Sequence, residues 1–374
     1  MNWTAVHGSS VNRDDCRAAT FGSETVKAQV LGWYNQQNVG DEAFKLAFLE
    51  GFRLLGEPVD LRFSTERAPE GSSVILGGGD VIKSAYIEKL LGKDAIFPIG
   101  VGLGYESEAE LLKKLPVPIA VVRNLRDVEV LGSIGLSAEY CPDITFVLPV
   151  PSPSEEDRTR KTRKRLGVLL SDEVNPTFEE NTARLYMYYE YFKWELAAIL
   201  DELSEYYEIL FVPFSTLDSI DDRKMNGDIF RRMSKRHLAR LEDKPLSVVK
   251  ARELIASCDL VVTMKYHGLL FAVQAGVPFV NIGETRKTQL FCQENGLQAL
   301  SVPRLSLERE RFLSFVKVAE SGRSKSQIRT TGDALRSKAR EVLPRALERV
   351  LKCEQHSEAR DRLSGSPLLV SQPT

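Results

Sequence analysis

The sequence predicts two α/β domains, each a doubly wound parallel sheet flanked by helices, joined by a short linker. Three observations carry that expectation. Short apolar runs alternate with stretches of helical period in both halves of the chain, which is the pattern of βαβ units. In the first half these runs end in glycines, at 77–79 and 100–104, where strands of such sheets open into ligand-facing loops. One segment, 150–165 (VPSPSEEDRTRKTRKR), breaks the rhythm with Pro, Ser and charge. A chain of 374 residues, at roughly 100–200 residues per domain, has room for two cores.

The elements follow in order. Residues 1–24 are polar and mixed, and are expected to form a loose arm. KAQVLGWYN (27–35) reads as a strand, and DEAFKLAFLEGFRLLG (41–56) as a helix closed by Gly56. PVDLRF (58–63), SSVILGGGD (72–80), AIFPIGVGLG (95–104) and IAVVRN (119–124) read as buried strands, the last followed by a helix to Gly135. Together 25–150 form the first domain, and 151–164 the linker. In the second domain, 165–320, RLGVLLS (165–171), YEILFVPFS (207–215), DLVVTMKYHG (259–268) and VPFVNIG (277–283) are strands. Helices are expected at 182–205, 245–258 and 269–276. The aromatic stripe Tyr186, Tyr188, Tyr189, Tyr191 and Phe192 reads as helix packing. Residues 321–374 hold a helix at 333–353, despite Pro344, and a disordered tail from about Glu354.

Composition excludes several classes of function. With 43% hydrophobic and 27% charged residues the chain is neither fibrous nor mainly disordered. Fifty basic against 52 acidic residues give a net charge of −2, so nothing global attracts nucleic acid. The basic end of the linker has no interleaved aromatics and reads as linker. Cys16, Cys141, Cys258, Cys292 and Cys353 form no CxxC pair and read as reduced thiols. The four histidines, His7, His237, His267 and His356, show no metal-ligand spacing, so no metal is expected. The first residues lack the pattern of a secretory signal and no apolar run is long enough to span a bilayer. A cytoplasmic protein is expected, with peripheral membrane contact left open.

Five segments can carry chemistry. In GWYNQQNVGDEA (32–43), Asn38 and Asp41 either cap a helix or bind sugar hydroxyls and position a base, with Gly40 admitting a ligand. Gly77, Gly78, Gly79 and Asp80 form a tight turn or an anion or sugar cradle. Arg123, at a strand end, clamps a phosphate or carboxylate, or pairs with Asp127. Asp143 holds Arg123 or caps a turn. Lys265 and His267, two apart at a strand end, can point the same way toward an anionic ligand and a proton transfer. Arg286 and Lys287 follow the next strand and either approach the same mouth or sit in solvent. There is no GxSxG elbow and no cysteine beside a histidine.

Taken in order, these blocks resemble the polysaccharide pyruvyl transferase family: Asn38, Gly40 and Asp41; Gly77 to Asp80; Arg123; Asp143; His267 with Ala272, Gly276 and Pro278; and Lys287. The resemblance spans about residues 27–300. It implies a fold similar to the GT-B glycosyltransferases, the first domain on the acceptor side and the second on the donor side. It implies transfer of the enolpyruvyl-derived group of phosphoenolpyruvate to a saccharide, free or lipid-linked, as a pyruvate ketal. No cofactor is needed; phosphoenolpyruvate is a substrate. His267 becomes the general acid/base, and Arg123, Lys265 and Lys287 the anion binders. Asn38, Gly40, Asp41, Gly78, Gly79 and Asp80 lie toward the acceptor, and Asp143 supports. The sequence departs from the family at Lys265, where Arg is usual, at Asn124 and Asp127, and at Glu284, where an aromatic is common. A nucleotide-sugar glycosyltransferase and a non-catalytic saccharide- or anion-binding protein remain alternatives. The sequence does not fix the acceptor sugar or the oligomeric state.

Overall fold

In the computed structural model, the described residues are 26–65, 73–159, 163–171, 182–283, 285–304 and 307–364. The first domain contains β1 (Val26–Leu31), α1 (Val39–Leu55), β2 (Val59–Ser64), β3 (Ser73–Gly79), α2 (Ser84–Leu90), β4 (Ala95–Val101), α3 (Ala109–Leu112), β5 (Ala120–Val122), α4 (Leu125–Ser133) and β6 (Ala138–Tyr140). The expected linker holds a short helix, α5 (Glu155–Thr159), tied to the second sheet by the 2.8 Å Asp157–Arg165 ion pair.

The second domain runs β7 (Lys164–Leu169), α6 (Thr182–Leu203), β8 (Tyr207–Phe211), α7 (Asp222–Arg232), β9 (Ala239–Leu241), α8 (Val248–Ala256), β10 (Leu260–Thr263), α9 (Tyr266–Ala275), β11 (Phe279–Ile282), α10 (Arg286–Glu294), β12 (Ser301–Val302), α11 (Arg309–Glu320) and α12 (Gly322–Ser364). Helix therefore continues past Glu354, where the sequence suggested disorder, as far as Ser364. The loose arm of residues 1–24 and the last ten residues of the tail lie outside the described residues.

Both sheets are parallel throughout, in the orders β2-β1-β3-β4-β5-β6 and β12-β11-β10-β7-β8-β9. Each order reverses once, between β1 and β3 and between β7 and β10. At such a point neighbouring crossovers leave toward opposite faces and open a crevice beyond the strand ends. The central strands are buried on both faces, β3 and β4 along their whole length, which is why they read as continuous apolar runs.

The crevices face each other because the domains are tied. Val39 N–H donates to Phe214 O at 2.8 Å and Thr216 N–H to Gln37 O at 3.1 Å, around an Asn38–Ser215 bridge. Helix α12 belongs to both cores. Ile328, Leu335 and Ala339 pack in the second domain; Val342, Leu343, Ala346, Leu347, Val350 and Leu351 complete the first. Leu343 and Leu347 sit over Gly51 of α1, where an added Cβ would come within 2.7 Å of Leu347.

The aromatic stripe of α6 divides. Phe192 is buried and Tyr189 packs on the core, but Tyr188 and Tyr191 are exposed rather than packed. The Tyr186 side chain is outside the described residues. Cys141, Cys258 and Cys292 are buried free thiols and Cys353 is half-buried; Cys16 is not described.

Because Leu347 is fully buried in the first domain's core, Leu347→Ala is expected to cost about 2–5 kcal/mol. Urea unfolding followed by circular dichroism measures it. An unchanged midpoint would show that α12 does not complete that core.

Candidate active site

The two crevices meet in one cavity of about 80 Å³, lined by Asn38, Asp41, Gly79, Asp80 and Arg123 from the first domain and Met264, Lys265, Tyr266, His267, Thr285 and Lys287 from the second. Both switch points supply it: the chain leaving β1 and β3 on one side and β10 on the other.

Asn38 caps α1, its Oδ1 accepting from Gly40 N–H at 3.0 Å. That aims the α1 N-terminus and Asp41 into the cavity. Gly40 is required because α1 and the His267 ring meet face to face, and a Cβ there would run into the imidazole. Gly78 and Gly79 adopt positive φ, +75° and +84°, a region L side chains avoid. They turn the chain over Phe44 and deliver Asp80 to the cavity.

Arg123 is 4% exposed. Its guanidinium bonds Asp80 through Nη2 and Asp143 through Nη1 at 3.4 Å, and lies 4.6 Å from the centre of the Tyr266 ring. Asp143 fills both roles the sequence allowed. It holds Arg123 and caps the short 3-10 turn Ile144–Val147 by accepting from Thr145 N–H and Oγ1–H. Asp127 is not Arg123's partner. It accepts from Leu103 N–H, Asn124 Nδ2 and, across the cleft, Arg286. The Asn124 and Asp127 departures thus form one interdomain contact.

The expectation for Lys265 and His267 needs correction. Strand β10 stops at Thr263; Lys265 is the N-cap residue of α9 and His267 lies in its first turn. Thr263 Oγ1 accepts from Lys265 N–H at 2.9 Å and so starts the helix early. Both side chains line the cavity, but their partners differ. Lys265 Nζ is committed to Asp222 at 3.1 Å and Ser171 at 3.4 Å. His267 packs edge-on against Phe44 and Tyr266, with Nε2 3.7 Å from Asp143 and no hydrogen-bond partner. Lys287 reaches the cavity and pairs with Asp80 at 3.3 Å. Glu284 lies outside the described residues.

Among the described residues of the cleft the cations are paired: Arg123, Lys265 and Lys287 are each within 3.4 Å of a carboxylate, from Asp143 and Asp80, Asp222, and Asp80 respectively. Asp222, Tyr266, Met264 and Thr285 were not legible as site residues. Asp222 alone carried a signal, as the second of two aspartates opening a helix. Its carboxylate also accepts from Phe214 and Ser215 N–H.

Burial separates the two titratable groups that remain. It pushes Asp41 up to about 7, with Lys287 opposing and Asp80 assisting. It pushes His267 down to about 4 against the pull of Asp143. Near neutrality the cavity therefore holds a carboxyl able to keep a proton and an imidazole free to accept one. Among the described residues no cluster of metal-ligating side chains is found, and no described helix is long and apolar enough to cross a membrane.

The two shifts oppose each other in stability. The His267 contribution is complete above 6.5 and lost as pH falls toward 4. The Asp41 contribution is complete below 3.8 and lost as pH rises toward 7. Their overlap flattens the profile of the wild type. His267→Ala is expected to lose stability as pH rises from 4 to 7, and Asp41→Asn to gain it from 4 to 6.5. Urea titrations across that range check the slopes; equal slopes in both variants would contradict the assignment.

Comparison with known proteins agrees with this architecture. Residues 38–286 match the model of the family described as polysaccharide pyruvyl transferase. No curated protein matches the chain. Among solved structures, Staphylococcus aureus MnaA with UDP is similar at 11% identity, TM-score 0.55, over 81% of this chain and 90% of that one. Methanocaldococcus jannaschii UDP-GlcNAc 2-epimerase, with UDP-GlcNAc and UDP, gives 12% and 0.54 over 82% and 98%. Anabaena Alr3699/HepE, with UDP and glucose, gives 11% and 0.51 over 88% and 100%. At these identities the likeness is one of fold, two Rossmann-like domains in a GT-B-like arrangement. With two thirds of its length in the family model and its cavity built by those matched residues and Lys287 just beyond them, this chain belongs to the polysaccharide pyruvyl transferase family and is a transferase.

Proposed function

We propose that the cavity binds phosphoenolpyruvate and that the protein transfers its enolpyruvyl-derived group to two hydroxyls of a saccharide, forming a pyruvate ketal. The observation that carries this reading is the joint presence of Arg123, Lys287, Asp41 and His267 in one small interdomain cavity. Phosphoenolpyruvate needs all four kinds of help. Its carboxylate and phosphate call for a guanidinium and an ammonium, and the N-terminus of α9 adds a positive helix end. Its vinyl carbon needs a proton, and the acceptor hydroxyl must lose one.

Asp41 donates the proton to the methylene carbon, which becomes the methyl group and leaves an oxocarbenium-like centre. The first sugar hydroxyl attacks that centre and gives its proton to His267. The C–O bond to phosphate breaks, and the second hydroxyl closes the ketal. Of the two hydroxyl protons, one restores Asp41 and the other leaves with phosphate. The trianionic donor itself favours the protonated forms of Asp41 and His267. Asn38 and Gly79 face the acceptor side. In this reading Lys265, fixed to Asp222, supports the floor of the site rather than binding the donor.

The reaction is placed on the cytoplasmic side, acting on soluble or lipid-linked saccharide, with peripheral membrane contact in the second case.

A thermal-shift titration with phosphoenolpyruvate tests the reading. The expected result is a saturable rise in melting temperature, weakened in Lys287→Ala and retained in His267→Ala. With an acceptor sugar, His267→Ala is expected to lose about 10²–10⁴ in turnover. A shift with UDP and none with phosphoenolpyruvate would replace this reading with glycosyl transfer. Binding of saccharide with no turnover would replace it with a non-catalytic role.

A further inference from the structure

The donor groups of the site are already occupied by the protein's own carboxylates. Three cations in and around the cavity are already paired with Asp80, Asp143 and Asp222, and a phosphoenolpyruvate trianion added to those pairs is uncompensated. One of the acids must give way, and they are not held equally. Asp143 is fully buried and anchored by two bonds from Thr145. Asp222 is buried and anchored by two backbone N–H groups. Among the described residues Asp80 bonds only the cations themselves, Arg123 through Oδ1 and Lys287 through Oδ2. Its side chain is 22% exposed, it follows two glycines in the left-handed region, and it lines the cavity.

We infer that Asp80 holds the anion site shut with its own carboxylate, so that a ligand enters only by displacing it from Arg123 and Lys287. Asp80 is thereby a specificity-determining residue. A monocarboxylate replaces one carboxylate by another and gains nothing against an intramolecular competitor at high effective concentration. A phosphoryl dianion, able to take the Arg123 fork and the Lys287 ammonium together, gains a charge. Exposed Lys83, near enough to act on Asp80 electrostatically, offers the displaced carboxylate a partner. Arg123 comes from the first domain and Lys287 from the second, so displacement also exchanges an internal interdomain clasp for one made through the ligand. For its physiological ligand this rests on the phosphoenolpyruvate reading.

The test is calorimetric titration of wild type, Asp80→Asn and the charge control Glu106→Gln with inorganic phosphate, acetate and phosphoenolpyruvate. Glu106 lies outside the cavity lining, 3.9 Å from Arg286. The expected result is that Asp80→Asn binds phosphate about tenfold more tightly than wild type and gains affinity for acetate, while Glu106→Gln changes little. Phosphate affinity unchanged or weaker in Asp80→Asn, or an equal gain in Glu106→Gln, overturns the inference and leaves the donor reading intact. Tighter phosphate binding in Asp80→Asn, with no phosphoenolpyruvate binding by any of the three, supports the inference and removes the donor reading. Should Asp80→Asn fail to fold, a crystal structure of wild type with phosphate decides. Asp80 turned away from Arg123 and Lys287 supports displacement; phosphate bound elsewhere beside an intact Asp80 contact overturns it.

Discussion

A guanidinium removed from water must find its counter-charges and hydrogen bonds inside the protein, and Arg123 sets the site by doing so. It takes Asp143 on one side, Asp80 on the other and the face of Tyr266. Each partner then constrains a neighbour. Asp143 sets its carboxylate 3.7 Å from the unpartnered His267 Nε2. Asp80 draws Lys287 in from the second domain. Tyr266, held between Arg123 and Lys287, begins the helix that carries His267. A residue of the first sheet thus arranges groups of both domains.

That arrangement requires closely apposed domains, and contacts outside the cavity supply this. The backbone pairing around Asn38 and Ser215 fixes one side of the cleft. Arg286, bonded to Asp127 and to Leu103 O, fixes the other. Gln274 of α9 donates to Thr145 Oγ1 and accepts from Arg252, whose other bond is to Pro149 O at the linker. Thr145 is the residue that anchors Asp143. A chain of hydrogen bonds therefore runs from the interdomain connection to the Arg123 cluster, and α12 spans both cores behind it.

Much of this was legible because parallel sheets write themselves plainly: buried strands are apolar throughout, and glycines mark their ends. Asn38, Asp41, Asp80, Arg123, His267 and Lys287 could be singled out since each follows a strand of a doubly wound sheet. What could not be read was where the side chains go. Alternation along a strand suggested that Lys265 and His267 point together, but Thr263 ends the strand and the pair belongs to the start of a helix, where each takes different partners. Asp222 is beyond local reading because its partner lies 43 residues away. The charge balance was hidden for the same reason: counting cations near strand ends does not reveal which aspartates fold back onto them.

Asp41 belongs to the first domain and His267 to the second, and the His267 ring is seated on Gly40 beside Phe44. Burial moves both groups away from their ordinary values, the carboxyl from 3.8 up to about 7 and the imidazole from 6.5 down to about 4. The higher proton affinity therefore passes from the imidazole to the carboxyl inside this cavity. Burial, rather than either residue's intrinsic chemistry, sets that order.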